Sequence, residues 1–180
     1  MTAYSHNKFY IGLTTRAPFA AVLVRCHFTG AIVVGGAWQN QRAIQPVLDE
    51  LKARLQKEFG QTLSSAGITA LIEDSEAGPA MAEHAEQTIP LNWNLLFYPM
   101  EAVRQNLESV LRVQGSATAK LQIDDKCPGA RELAQALDNK IEGGMYDALA
   151  LCLWQAKEDE SVHNLKEPDV ETEFNVFKDW

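Results

Sequence analysis

Two carboxylates stand where side chains of this chain could do chemistry. Glu73 closes an apolar run, residues 68–72 (ITALI), and Asp147 opens the amphipathic stretch MYDALALCLWQA. In open α/β sheets, reactive groups collect at strand ends and at the starts of neighbouring helices. Leu149, Cys152, Leu153 and Ala156 follow Asp147 at a spacing that presses one helix face on a sheet, which aims Asp147 at the sheet edge. Each acid also has a plainer reading. Asp147 can cap a helix that starts after Gly143-Gly144, a role Asp favours as readily as that of a ligand. Glu73-Asp74 can be a solvated strand end running into a turn.

Other chemistries lack their residues. Cys26, Cys127 and Cys152 are odd in number and form no C-x-x-C pair, which predicts a reducing, cytoplasmic setting without disulfides or a zinc knuckle. His6, His27, His84 and His163 are scattered, with no metal-ligand spacing between them. Ser75 lacks the G-x-S-x-G frame of a hydrolase nucleophile. No Gly-Lys dipeptide occurs, so there is no P-loop ATP site, and any packaging motor must be a separate chain.

The elements that position the two acids are readable from period and turns. Residues 9–14, 19–25 and 31–38 are short apolar runs joined at Arg16-Ala17-Pro18 and Thr29-Gly30, which predicts an antiparallel meander. Gly35-Gly36 marks a bulge or a close approach. Residues 41–58 repeat Ile44, Val47, Leu48, Leu51 and Leu55 at helical spacing, and Gly60 ends the helix. A polar loop at 61–67 leads to a strand at 68–72. Helices follow at Gly78–Gln87, 100–113, 129–138 and Gly144–Lys157, with strands at 92–97 and 119–124 between them. Three antiparallel strands followed by strand–helix alternation predict a mixed sheet with helices on both faces.

The chain has 180 residues, 46% hydrophobic and 22% charged, as in one globular domain. Its net charge is -8. Residues 158–180 hold eight acids against Lys166 and Lys178, so the first 157 residues are nearly neutral. This balance excludes a simple basic nucleic-acid coat but lets a polyanion approach the body. The expected division is a domain at 1–157 and an acidic, flexible tail at 158–180 that carries Phe174, Val176, Phe177 and Trp180. No apolar stretch is long enough for a membrane span or signal peptide. Met1, eight residues before the first strand, favours a stand-alone product. Lys8, Arg16, Arg104, Arg112, Lys120 and Lys126 read as ordinary solvated charges rather than a phosphate track, because nothing in the sequence puts them on one face. Asp124-Asp125 lead into the helix behind Pro128 and favour its N-terminus.

The order of elements, LIEDSEAG after the fourth strand and YDALAL in the last helix resemble the ribonuclease H-like nucleases. The match is best to the nuclease domain of phage terminase large subunits, with RuvC-type Holliday-junction resolvases second. The resemblance spans about residues 9 to 156. It implies an α/β fold with a ribonuclease H-like, mixed five-stranded sheet. It also implies phosphodiester hydrolysis of DNA with Mg²⁺ or Mn²⁺ held by clustered carboxylates. Glu73 and Asp147 then become catalytic metal ligands, with Asp74 in reserve. Two positions depart from the family. Thr14 stands where its leading carboxylate follows Gly12-Leu13, and Gly143 and Gly144 stand where an acid usually precedes the last-helix Asp. Two acids offset one divalent cation, so a symmetric two-metal clamp is not expected. Two readings follow. One is a terminase- or RuvC-like endonuclease with an incomplete carboxylate set. The other is a catalytically inactive phage or prophage module of the same fold that binds DNA or a protein partner.

Overall fold

The computed structural model of the protein describes residues 8–26, 31–60, 67–112 and 121–173. Six strands and five helices follow in the order β1 (Lys8–Leu13), β2 (Phe19–Cys26), β3 (Ile32–Asn40), α1 (Gln45–Phe59), β4 (Gly67–Glu73), α2 (Gly78–Thr88), β5 (Asn92–Tyr98), α3 (Met100–Arg112), β6 (Leu121–Ile123), α4 (Ala130–Asp138) and α5 (Gly144–Glu173). The strands form one sheet in the order β5-β4-β1-β2-β3-β6. β1, β2 and β3 make the expected antiparallel meander, whereas β4 pairs parallel to β1 and β5 parallel to β4. This is the expected mixed α/β arrangement with one correction: among the described residues the sheet has six strands, not five. Leu121–Ile123 is short, yet it pairs parallel to Ile32–Val34 and extends the sheet beyond β3.

The central strands are buried on both faces, which is why they read as continuous apolar runs rather than alternating ones. In β2, Ala20, Ala21, Val22, Leu23 and Val24 are all buried. Tyr10, Val22 and Leu71 face a layer built from α3, α4 and α5, while Ile11, Leu13 and Ile72 face α1 and α2. The bulge expected at Gly35-Gly36 falls at Gly35. Leu23 pairs with Gly36 and Val24 with Val34, leaving Gly35 between them.

The last helix is longer than expected. It runs to Glu173 rather than ending near Lys157. The apolar stripe stops early, but a helix already nucleated by a buried segment gains a backbone bond with each added residue that carries an N–H, which here is every one but Pro168. The beginning of the acidic stretch is also tied down. Asp159 accepts hydrogen bonds from the Tyr10 hydroxyl and from Gln155 Nε2, and lies 3.7 Å from Lys8 Nζ. Burial and this neighbouring carboxylate push the Tyr10 phenol far above its ordinary range. Thr29-Gly30, most of the 61–67 loop, Lys120 and the four apolar residues from Phe174 to Trp180 lie outside the described residues.

One close approach sets how α5 lies on the sheet. A Cβ at Gly12 would sit 1.9 Å from the Ala148 carbonyl oxygen, so the helix backbone rests directly on β1. Gly12→Ala must therefore push α5 off the sheet, at a cost of roughly 2–4 kcal/mol. At Gly35 the nearest atom to an added Cβ is 3.7 Å away. Gly35→Ala should change stability by less than about 1 kcal/mol. Urea unfolding of the two variants distinguishes these outcomes.

Candidate active site

β1 and β4 run parallel with Leu13 opposite Ile72, so their C-terminal ends reach one rim of the sheet. Side chains alternate along a strand. Leu71 packs on the α3–α5 layer and Ile72 on the opposite one, so Glu73 returns to the α5 side. The contact at Gly12 holds the first turn of α5 over the same strand end, which delivers Asp147 to that side. Both carboxylates are buried, with Glu73 2% and Asp147 4% exposed.

Each buried acid is matched by an arginine. Thr15 donates to Glu73 Oε1 from its hydroxyl at 2.9 Å and from its backbone N–H at 3.4 Å. Arg16 donates to Glu73 Oε2 through Nε at 3.1 Å and also through Nη2. The Thr15 hydroxyl lies 2.8 Å from Ser75 Oγ. Asp147 is held by a fork: Arg104 Nε reaches Oδ1 at 2.8 Å and Nη2 reaches Oδ2 at 2.5 Å. Such two-pronged guanidinium–carboxylate pairs are among the stronger polar contacts in proteins. The two pairs also feel each other, because the charges of Arg104 and Asp147 act on Arg16 and that of Glu73 acts on Arg104.

Burial by itself pushes the Glu73 carboxyl up. The hydrogen bonds from Arg16 and Thr15 and the Arg16 charge outweigh it, and the net shift is downward. Arg16 and Arg104 are held more firmly protonated by the carboxylates they grip.

The other expected site residues are placed differently. Thr14 is buried, but its hydroxyl works inside the β1–β2 turn, accepting from the Ala20 N–H at 2.9 Å and donating to the Pro18 carbonyl at 3.2 Å. Asp74 is exposed just past the strand, and its N–H donates to the Tyr98 carbonyl. Gly143 and Gly144 have φ of +93° and +53°, in the left-handed region that favours glycine. A Cβ at Gly144 would lie 2.3 Å from Gln39 Oε1, the same atom that accepts from the Met145 N–H at 3.1 Å. The entry to α5 is thus a tight turn docked on β3, where a side chain at Gly144 would have to displace the Gln39 amide and adopt a left-handed backbone. Glu142 lies outside it, half-exposed and 3.6 Å from Arg104 Nη1.

The carboxylates as arranged do not fit a resident Mg²⁺ or Mn²⁺. Every oxygen of Glu73 and Asp147 already accepts a hydrogen bond, and two guanidinium groups supply the compensating charge. Among the described residues, no group of three or more His, Cys, Asp or Glu side chains is gathered to hold a metal ion. Thr15 is the site residue that the sequence does not single out. Arg16 and Arg104 read from sequence as solvated charges, and only the fold brings them to one rim. The single sequence signal was an arginine in the turn directly after the first strand.

Removing Arg104 leaves Asp147 buried and unpaired, so Arg104→Ala should cost about 3–5 kcal/mol. Arg16→Ala should cost about 1 kcal/mol, because the Arg16 side chain is 72% exposed and Glu73 retains Thr15. Chemical unfolding ranks the two. The Glu73 shift also gives stability a pH dependence. Its folded carboxyl titrates below the ordinary value of about 4.3, so its contribution is complete above that pH and is lost as pH falls through the folded value. Melting curves taken down to about pH 3 should show this loss, and Glu73→Gln should shrink it.

No family model matches the chain and no curated protein is similar to it. Among solved structures it is similar to the yeast mitochondrial Holliday junction resolvase Ydc2, at 12% identity over 80% of this chain and 77% of that one, with a TM-score of 0.43. No described helix is long and apolar enough to cross a membrane.

Proposed function

We propose that this chain acts on nucleic acid as a nuclease-type domain, engaging the phosphodiester backbone at the rim that carries Glu73 and Asp147. One observation carries the reading: two acids far apart in sequence are buried and charge-paired on the same side of the same strand ends. Keeping carboxylates buried at a rim is costly unless charge is matched there, and a merely structural strand end has no need of them. Arg16, mostly in water, is the group an arriving phosphate meets first. A guanidinium can exchange a carboxylate for a phosphate with little change in geometry, since both accept its planar fork.

The finer reading is a terminase- or RuvC-like DNA endonuclease that depends on Glu73 and Asp147. It requires the two arginines to give up their carboxylates when DNA is bound. The ion pairs favour a second reading, in which the same rim holds DNA or a phage or prophage protein without cleaving anything.

Supercoiled plasmid and a four-way junction, incubated with Mg²⁺ or Mn²⁺, separate these readings. The endonuclease reading expects nicking or resolution that disappears in Glu73→Ala and in Asp147→Ala. Cleavage that survives both substitutions discards the assignment of these residues. A DNA complex stable in both metals without strand breaks selects the second reading.

A further inference from the structure

We propose that the outer edge of β5 is a self-association surface, on which a second copy of this chain pairs its own β5 antiparallel about Leu95 and joins the two sheets into one. The surface lies away from the proposed function and uses neither Glu73 nor Asp147.

The backbone shows which groups are open. The Asp74 N–H donates to the Tyr98 carbonyl at 2.8 Å, and Tyr98 stands opposite Glu73 in the parallel β4–β5 pair. Backbone groups of successive residues turn to opposite edges of a strand. Asn92, Asn94, Leu96 and Tyr98 therefore face β4, whereas the N–H and C=O groups of Trp93, Leu95 and Phe97 turn outward. Among the described residues, no strand lies beyond β5 on that side. The open stretch is closed at each end. The Leu91 N–H already donates to the Ile89 carbonyl at 2.9 Å, and Pro99 has no N–H.

Three open residues at alternate positions suit a twofold axis. With Leu95 opposite its own copy, Trp93 of each chain meets Phe97 of the other, and every open group is satisfied in about six bonds. Sliding by two residues sets Phe97 against Leu91, whose N–H is taken, or Trp93 against Pro99. The side chains agree with this register. Trp93 and Leu95 pack half-buried on the α1–α2 layer, and Phe97, 40% exposed, lies on the same face 3.2 Å from where a Cβ at Gly78 would stand. The pairing thus sets aromatic against aromatic and leucine against leucine. The Trp93 ring is held in advance, because its Nε1 donates to the Ile89 carbonyl at 2.8 Å, and this lowers the cost of ordering it.

Charge favours a second copy at this edge over any other part of the surface. A chain of net charge -8 repels its own copy, yet β5, NWNLLFY, carries no charged residue that would meet its like. Exposed edges ordinarily carry a lysine, an inward charge or a bulge against such pairing, and the β4–β5 ladder is regular through all its residues. The opposite edge is no equivalent: β6 spans three residues and runs into Asp124-Asp125. The association therefore closes at two copies rather than growing into a filament. An edge of about 23 Å falls at the small end of specific interfaces, which places dissociation in the micromolar range.

Sedimentation equilibrium of the full chain from about 1 to about 200 µM should show one copy passing to two, with nothing larger. Leu95→Pro deletes an outward N–H without removing a bond to β4, and Phe97→Glu sets a charge against the other copy's indole. Each should weaken association at least about tenfold, and Phe97→Glu carries the measurement if Leu95→Pro does not fold. Gln122→Lys on β6 should leave it unchanged. Hydrogen exchange at the Trp93, Leu95 and Phe97 amides should slow as concentration rises, while Asn94 and Leu96 stay protected throughout. A single copy at every concentration overturns the proposal, as does a dimer that the β5 variants leave intact. A single copy whose open amides are protected only by an added uncharged strand peptide assigns the edge to another protein, and overturns it too.

Discussion

The backbone of α5 lies directly on β1 at Gly12, and the rim depends on that crossing. Without a side chain at Gly12, the Ala148 carbonyl can come closer than any residue with a Cβ would allow. This fixes the first turn of α5 at the ends of two parallel strands and puts Asp147 on the side to which Glu73 points. The apolar residues behind Asp147, from Leu149 to Leu153, keep the helix there by burial between the sheet and α3. A larger residue at Gly12 would lift the helix and separate the two acids in one movement.

Charge compensation is the second constraint. Removing two carboxylates from water costs several kcal/mol each unless opposite charge and hydrogen bonds replace the solvent. The protein meets that demand from its own chain, with a turn residue for Glu73 and a helix residue for Asp147. The result is a rim that is electrostatically complete by itself. Any ion or ligand arriving at this rim therefore competes with side chains already well matched to the acids.

Much of this was legible before the fold was known. The meander, the alternation that follows it and the two acids could be read from apolar period, turn residues and position, because these depend on neighbours in sequence. The strand expected at 119–124 forms at Leu121–Ile123, but so short a segment cannot show from sequence that it joins the sheet until β3 offers its edge. The far end of α5 was missed because a stripe of apolar residues reports packing, not helix length. The arginines were missed for a different reason. Arg16 and Arg104 are 88 positions apart, and nothing local says that a turn and a helix will deliver both to one place. Gly143-Gly144 stands where the resembling family carries an acid, and the left-handed backbone and the Gln39 contact show a docking turn that favours glycine.

The helix that begins beside Asp147 is also fastened farther along. Asp159, twelve residues on and about 18 Å away at 1.5 Å per residue, is gripped by Tyr10 and Lys8 at the opposite end of the strand that carries Gly12. α5 is therefore fastened to β1 at two points, Ala148 over Gly12 and Asp159 against Tyr10 and Lys8, and the helix between them cannot slide or roll along the sheet without breaking one of the two.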